Sequence, residues 1–343
     1  MGKKIVKSLN TYRAYLLVAV MLFLGIFAKN FYTMYNMKSI LDSTLLYTFM
    51  GVGFTLCMIA GHMDLSVGAM ANLGAVVTMG MHTLYGLNWG ASIIIATIVA
   101  TLAGAFNGLM IAKAKIHSFI ATLGMQFVLR GVMYIFCNGA EISDKGDFAF
   151  ADVLNRWLKP FPISPKVIAA LIMVISVTLV MRYTRFGRNI YMIGGNAETA
   201  WLAGINRDRY TILIFAFSGF TCALGGALFA IAQSSALPNL GEKGISPLLV
   251  ALAATIIGGT NTDGGRGSVW STFIAIVGLM AMSNVLTVLV GKYEVQILAN
   301  GLVLAACVFY ETITAYYNNK KIGIRQPLVD RHAAESKASA ATP

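Results

Sequence analysis

An all-α protein that threads a membrane about ten times is the fold class this sequence predicts, and three observations predict it. Hydrophobic residues make up 57% of the chain and charged residues only 12%, where soluble domains carry about 25% charged residues. The apolar residues gather into ten stretches, most close to the ~20 residues that a membrane helix needs. Lysine and arginine crowd the connections on one side of those stretches.

In chain order the stretches are residues 13–28, 39–60, 65–85, 91–112, 118–138, 165–183, 211–232, 245–259, 268–290 and 294–317. The eighth is the weakest. Pro247 sits near its start, and its apolar part has a length that also fits a re-entrant segment. Ten crossings put both termini on one side. Seventeen of the 26 lysines and arginines fall on that side and eight on the other, with Arg130 inside the fifth stretch. The positive-inside rule then predicts cytoplasmic termini. The expected organisation is a cytoplasmic segment 1–12, a transmembrane domain 13–317 with a large cytoplasmic loop at 182–209, and a disordered cytoplasmic tail 318–343.

The net charge of +12 is explained by a cytoplasmic surface facing anionic lipid, and no nucleic-acid partner is expected. Cys57, Cys137, Cys222 and Cys307 lie in or beside apolar runs without a CxxC or a histidine partner, and read as small buried hydrophobes. No phosphate-binding loop, HExxH or paired carboxylate within a span is present, so no enzyme chemistry and no metal site are expected. An intramembrane acid or histidine relay is missing too. The energy for transport is therefore expected from another subunit, unless the chain is a facilitator or channel that needs none.

Four connections stand out. Between Arg182 and Tyr210 lie five arginines, a Gly-Gly pair and a helical signal. Asn196 is a good N-cap, Ala197 to Ala203 favours about two turns with Glu198 in the first, and Gly204 is placed to stop them. This segment is either a knob for a cytoplasmic partner or a loop that only fixes topology. Gly61-His-Met-Asp-Leu-Ser-Val-Gly68 joins the second and third stretches, with Asp64 and Ser66 able to cap the third helix; it reads as a capped turn or as a broken helix near a gate. The glycine-rich turn from Gly258 to Ser268 lacks the lysine of a phosphate cradle and leaves Asp263 and Arg266 exposed. The loop 139–164, with four acids, Trp157 and three prolines counting Pro165 just beyond, is a connector, or a lid or short surface helix on the external face that a partner touches.

Polar residues inside spans are candidates for a solute path because lipid exposure is costly for them. They are Asn72, Asn107, Gln126, Arg130, Gln233, Asn284, Gln296 and Asn300. Amides suit a neutral polyhydroxylated solute, but they also act as glue between helices. Arg130 is expected in a structural pair.

Several of these stretches resemble one family. GHMDLSVG (61–68) resembles the G-x-x-DLSVG signature of the ribose/galactose-type permeases of bacterial ABC importers. FGRNIYMIGGNAETAWLAGI (186–205) resembles their FGR-x-x-YAIGGN-x-x-AA-x-x-x-GI loop, IGGTNTDGGRGSVWST (257–272) their GGT-x-x-x-GG-x-G-x-x-x-GT turn, and ATLGM (121–125) is a further match. The similarity in order and spacing runs from about residue 35 to 315.

The resemblance implies a type II importer-like fold and a multi-pass place in the bacterial inner membrane. It also implies a second permease subunit, a cognate ATPase that holds ATP and magnesium, and a periplasmic protein that delivers a monosaccharide. No cofactor is expected on this chain. Asn196, Ala197, Glu198, Trp201 and Gly204 would form the helix coupled to the ATPase, and Asp64, Ser66 and Gly68 would lie near the path. His62-Met63, Trp201 and Ser271 depart from the pattern, which leaves the solute open among ribose, galactose, a nucleoside or a furanosyl signalling molecule.

Overall fold

The computed structural model describes residues 2–144, 146, 148–239 and 246–290, and beyond these the helical positions 294–295, 298, 301–302, 305 and 309, with side chains from residue 14 onward. The chain divides into a body, Met1–Asn300, and a separate unit, Gly301–Pro343. The expected tenth stretch lies mostly outside the described residues, as do Gln296, Asn300, Cys307 and the tail 318–343.

The body is helical: α1 Gly2–Gly25, α2 Met34–Ile59, α3 Val67–Thr83, α4 Trp89–Ala112, α5 Ser118–Phe136, α6 Ala149–Asn155, α7 Pro165–Tyr183, α8 Arg185–Gly195, α9 Ala197–Leu202, α10 Arg207–Gln233, α11 Pro247–Ile257 and α12 Val269–Val290. Six of them (α2, α4, α5, α7, α10 and α12) are long and apolar enough to cross a membrane. This is a multi-pass membrane protein. The weak eighth stretch forms the 11-residue α11, about 16 Å long and well short of the ~30 Å hydrocarbon core. Pro247 opens that helix at its first turn, where its missing N–H costs nothing.

The centre of the body is α10, which packs against α4, α3 and α2. Its sequence, with Gly219, Gly225 and Gly226 among alanines, serines and threonines, allows this. In lipid, helices associate through close van der Waals approach, and small residues permit it. A Cβ on Gly219 would sit 2.2 Å from the Ala100 carbonyl oxygen of α4, and one on Gly226 would sit 1.8 Å from the Ala71 oxygen of α3. From the α4 side, a Cβ on Gly104 would meet the Phe215 oxygen at 2.2 Å. Backbone touches backbone along both seams.

The loop 139–164 is pinned to the body. Residues Ile142–Ser143 pair antiparallel with Ser235–Ala236 after α10, and the Asp144 N–H donates to the Ser234 carbonyl at 3.0 Å. The short α6 is tied through Asn155, whose Nδ2 donates to the Ala232 carbonyl at 2.8 Å and whose Oδ1 accepts from Lys166 Nζ at 2.6 Å. Asp42 of α2 completes this cluster. It accepts from Lys38 at 2.6 Å, lies 3.2 Å from Lys166, and takes the Ser164 hydroxyl at 2.5 Å.

Candidate functional site

The segment between α7 and α10 carries the expected knob. Asn196 accepts at its Oδ1 from the N–H groups of Glu198 (3.0 Å) and Thr199 (2.9 Å), and α9 follows at once. The helix stops as the sequence predicts. Gly204 has φ +75°, its N–H donates to Trp201 O at 2.9 Å, and the Ile205 N–H reaches back to Ala200 O at 3.0 Å, the bonding of a Schellman stop. Ala200 is buried and roots α9 in the body, while Asn196 and Glu198 are exposed and Ala197 is half-buried. Trp201 and Leu202 stand 72% and 73% exposed, side by side. A tryptophan and a leucine held out by a capped helix form an apolar contact surface.

The preceding helix, α8, was not foreseen. Its arginines and terminal Gly-Gly read as loop, but Thr184 caps it by accepting from the Gly187 N–H at 3.4 Å. Ile190 and Ile193 turn inward at helical spacing. The glycines serve contact. A Cβ on Gly194 would lie 1.8 Å from the Ile59 carbonyl oxygen and 2.6 Å from the Gly265 nitrogen.

Three connections thus meet in one backbone junction: the end of α2, the end of α8 and the turn after α11. The Gly265 N–H donates to Ile59 O at 2.8 Å, and Tyr191 of α8 donates its hydroxyl to Gly267 O at 2.9 Å. Burial holds the Tyr191 phenol above its usual range, so it remains a donor. Asp263 and Arg266 project from this junction and are exposed, as expected.

The turn 61–66 is built differently from the expectation. Ser66 occupies the N-cap of α3 but makes no side-chain bond to that helix. Instead its hydroxyl donates to Asp64 Oδ1 at 2.5 Å and accepts from Asn107 Nδ2 at 3.0 Å. Asp64 does not cap α3 beyond Ser66 either. It takes the Ser66 N–H at 3.1 Å and, at Oδ2, the Ser218 hydroxyl of α10 at 2.8 Å. The physical reason is burial. Asp64 has no exposed surface, and a buried carboxylate draws in every nearby donor. The α5 N-terminus closes the turn, with Thr122 Oγ1 accepting from the Leu65 N–H at 3.0 Å. Ser218 is a member of this hydrogen-bonded hub that the sequence does not announce, since a serine among small residues in an apolar run carries no local signal.

The amides separate into three groups. Asn107 belongs to the Asp64 hub. Asn284 of α12 is glue, exchanging both amide hydrogen bonds with Asn36 of α2 at 2.9 Å each. Asn72 of α3 and Gln126 of α5 line a cavity of about 70 Å³ together with Arg130, Asn239 and the start of α11. Asn72 Oδ1, Gln126 Oε1 and Asn239 Nδ2 are buried and have no hydrogen-bond partner among the described residues. Arg130 also lies over the Tyr134 ring at 5.9 Å. A small polar chamber with amide groups turned toward it can hold hydroxyls, and Asn239 is the member that sequence reading did not name.

Known proteins share this framework. A family profile described as "Branched-chain amino acid transport system / permease component" matches residues 36–311. The ribose import permease protein of Haemophilus influenzae is 30% identical over 310 residues, covering 89% of this chain and 93% of that one. Its counterpart in Escherichia coli K12 is 31% identical over 303 residues, 86% and 92% of the two chains. The autoinducer 2 import system permease protein of Yersinia pseudotuberculosis is 32% identical over 267 residues, 78% and 73% of the two chains. No solved structure matches. The profile covers the Asp64 turn, the capped helix α9 and the glycine junction alike, and this chain belongs to that family of transport-system permease components.

Proposed function

We propose that the chain is the transmembrane subunit of a bacterial ABC importer in the inner membrane. It crosses the bilayer several times in the type II importer arrangement, with the N-terminus in the cytoplasm and the short α11 entering the membrane without spanning it. It pairs with a second permease subunit, an ATPase that binds ATP and magnesium, and a periplasmic binding protein. The solute is a monosaccharide of the ribose or galactose kind, with a nucleoside or a furanosyl signalling molecule as the alternative; the Yersinia relative is named for autoinducer 2.

The observation that carries this reading is the capped helix α9. Its exposed Trp201 and Leu202 offer an apolar contact to the ATPase, with Glu198 beside them and Asp263 and Arg266 nearby in the chain's cytoplasmic turns. Gly194, at the end of α8, touches the end of α2 backbone to backbone. A push on α9 therefore reaches Ile59 and the Asp64 turn with no flexible side chain between them. The amide chamber at Asn72, Gln126 and Asn239 is where a neutral sugar is passed on weakly, since a transporter needs only different affinities in its two states.

The test is ATPase activity in nanodiscs containing this chain, its genomic-neighbour ATPase, and the neighbouring binding protein loaded in turn with ribose, galactose, a nucleoside or autoinducer 2. One loaded binding protein should stimulate hydrolysis, and Trp201→Glu should abolish the stimulation while the protein still folds. If the wild type captures no ATPase and carries solute without one, the chain is a facilitator and the proposal fails.

A further inference from the structure

Against the turn after α2 lies a second and larger cavity of about 270 Å³, which shares no lining residue with the amide chamber. Its walls come from the turn after α2, the connection between α4 and α5, and the first turns of α10. Its polar lining is His62, Lys115, His117, Ser118, Arg207, Asp208 and Thr211. None of these residues takes part in the contacts assigned above to the ATPase or to the sugar.

The charge of this cavity is one-sided. Asp208 is its one acid, and that carboxylate is held by two lysines, Lys113 at 3.1 Å and Lys115 at 3.2 Å. Arg207 and the two imidazoles remain. Lys115 lines the cavity from a left-handed backbone (φ +57°), a conformation costly for a lysine, with its side chain 73% exposed. His62 is buried, and its Nε2 lies 3.4 Å from Thr211 Oγ1. In either tautomer that pair keeps a proton to give, from the threonine hydroxyl or from the other ring nitrogen. Burial first, and then the Arg207 charge and His117, lower the His62 pKa to about 4, so the ring is a neutral group there.

We infer that this cavity binds a phosphate monoester or diester, with Arg207 and Lys115 as its charged clamps and His62 and Thr211 as its neutral donors. Arginine and lysine are the residues that recognise phosphate oxygens. At 270 Å³ the space is slightly below the ~300 Å³ lower bound of small-molecule sites, which fits a phosphorylated metabolite of a few carbons or the headgroup of an anionic lipid. A ligand here would bridge the α2–α3 turn, the α4–α5 connection and the root of α10, and the helices α4 and α10 carry Asn107 and Ser218 to the Asp64 hub. Occupancy would thereby bias the same element that α9 moves.

The experiment uses the permease alone in nanodiscs, without an ATPase, so its outcome is independent of the importer proposal. Binding of glycerol 3-phosphate, and of glycerol as the uncharged control, is measured by calorimetry in phosphatidylcholine discs. Retention of phosphatidylglycerol is measured by native mass spectrometry. Glycerol 3-phosphate should bind saturably and glycerol should not. Arg207→Gln should weaken binding at least about tenfold, Lys115→Gln should weaken it less, and Asp208→Asn should tighten it severalfold by releasing two lysines. A residue with a merely structural role would not tighten binding when removed. If phosphatidylglycerol is retained instead, with the same order among the variants, the ligand is the lipid headgroup. If neither ligand distinguishes the wild type from Arg207→Gln and Lys115→Gln, all with unchanged thermal midpoints, the inference is overturned.

Discussion

The two ends of α2 are held by opposite means. Near its start, Asp42 gathers two lysines and a serine from α2 and α7 into a side-chain clamp. About 25 Å further along the helix, Ile59 meets Gly194 and Gly265 with no side chain between them. A charge cluster localises strength in a few atoms and stays put unless its charges are separated. A glycine junction has little strength of its own but transmits displacement, because close-packed backbone does not compress. The difference teaches which end of the helix is anchored and which end is driven.

The sharpest way to break this comparison is at the anchor. Asp42→Asn leaves Lys38 and Lys166 close together in a mostly buried site without a counter-charge. We expect it to cost about 3–5 kcal/mol, read as a fall in the thermal midpoint of the purified protein. Adding Lys166→Met should recover part of that loss. At the driven end, Gly194→Ala forces a methyl against the Ile59 carbonyl. Its cost is expected to be smaller, about 1–3 kcal/mol, but it should uncouple ATP hydrolysis from transport, which Asp42→Asn plus Lys166→Met should not. A variant at Gly194 that transports normally would remove the distinction between the two ends.

Smaller effects sharpen the picture. Gly204→Ala meets no atoms within 4 Å but must adopt φ +75°, so it should cost about 1 kcal/mol through strain alone. The cost should appear as fraying of α9 in hydrogen exchange and as weaker ATPase capture. At pH 6 a titration effect is smaller still. The folded His62 pKa of about 4 lies below its ordinary 6.5, so unfolding takes up a proton between those values and stability falls as pH drops from 6.5 to 4. At pH 6 the loss is only about 0.8 kcal/mol. His62→Asn should flatten that part of a thermal-midpoint titration.

What could be read from the sequence was local. The cap at Asn196 and the stop at Gly204 are signals within nine residues, and both are present as expected. The apolar stretches gave the long helices for the same reason. α8 was hidden because Gly194 and Gly195 look like a loop, although Phe186, Ile190 and Ile193 already repeat at helical spacing. The Asp64 hub was half visible. Its serine and carboxylate share one turn, but Ser218 lies 154 residues away and no local pattern announces it. Asn284 could be named as polar within a span, but its assignment as glue needed Asn36 across the bundle. α11 is short because Pro247 opens it and Gly258 and Gly259 end it, and a hydropathy window averages over both.

The Asn36–Asn284 pair has a consequence for how the protein is made. Its members are 248 residues apart, so at about 5–20 residues per second the first amide is synthesised roughly 12–50 seconds before its partner exists. An amide waiting that long in the middle of the hydrocarbon would be costly or would find a wrong companion. Asn36 sits in the first turn of α2, at the end of the helix, where the lipid headgroups and water can solvate it meanwhile. The late arrival of α12 then exchanges that solvation for a partner, so bundle closure is recorded by one reciprocal amide contact.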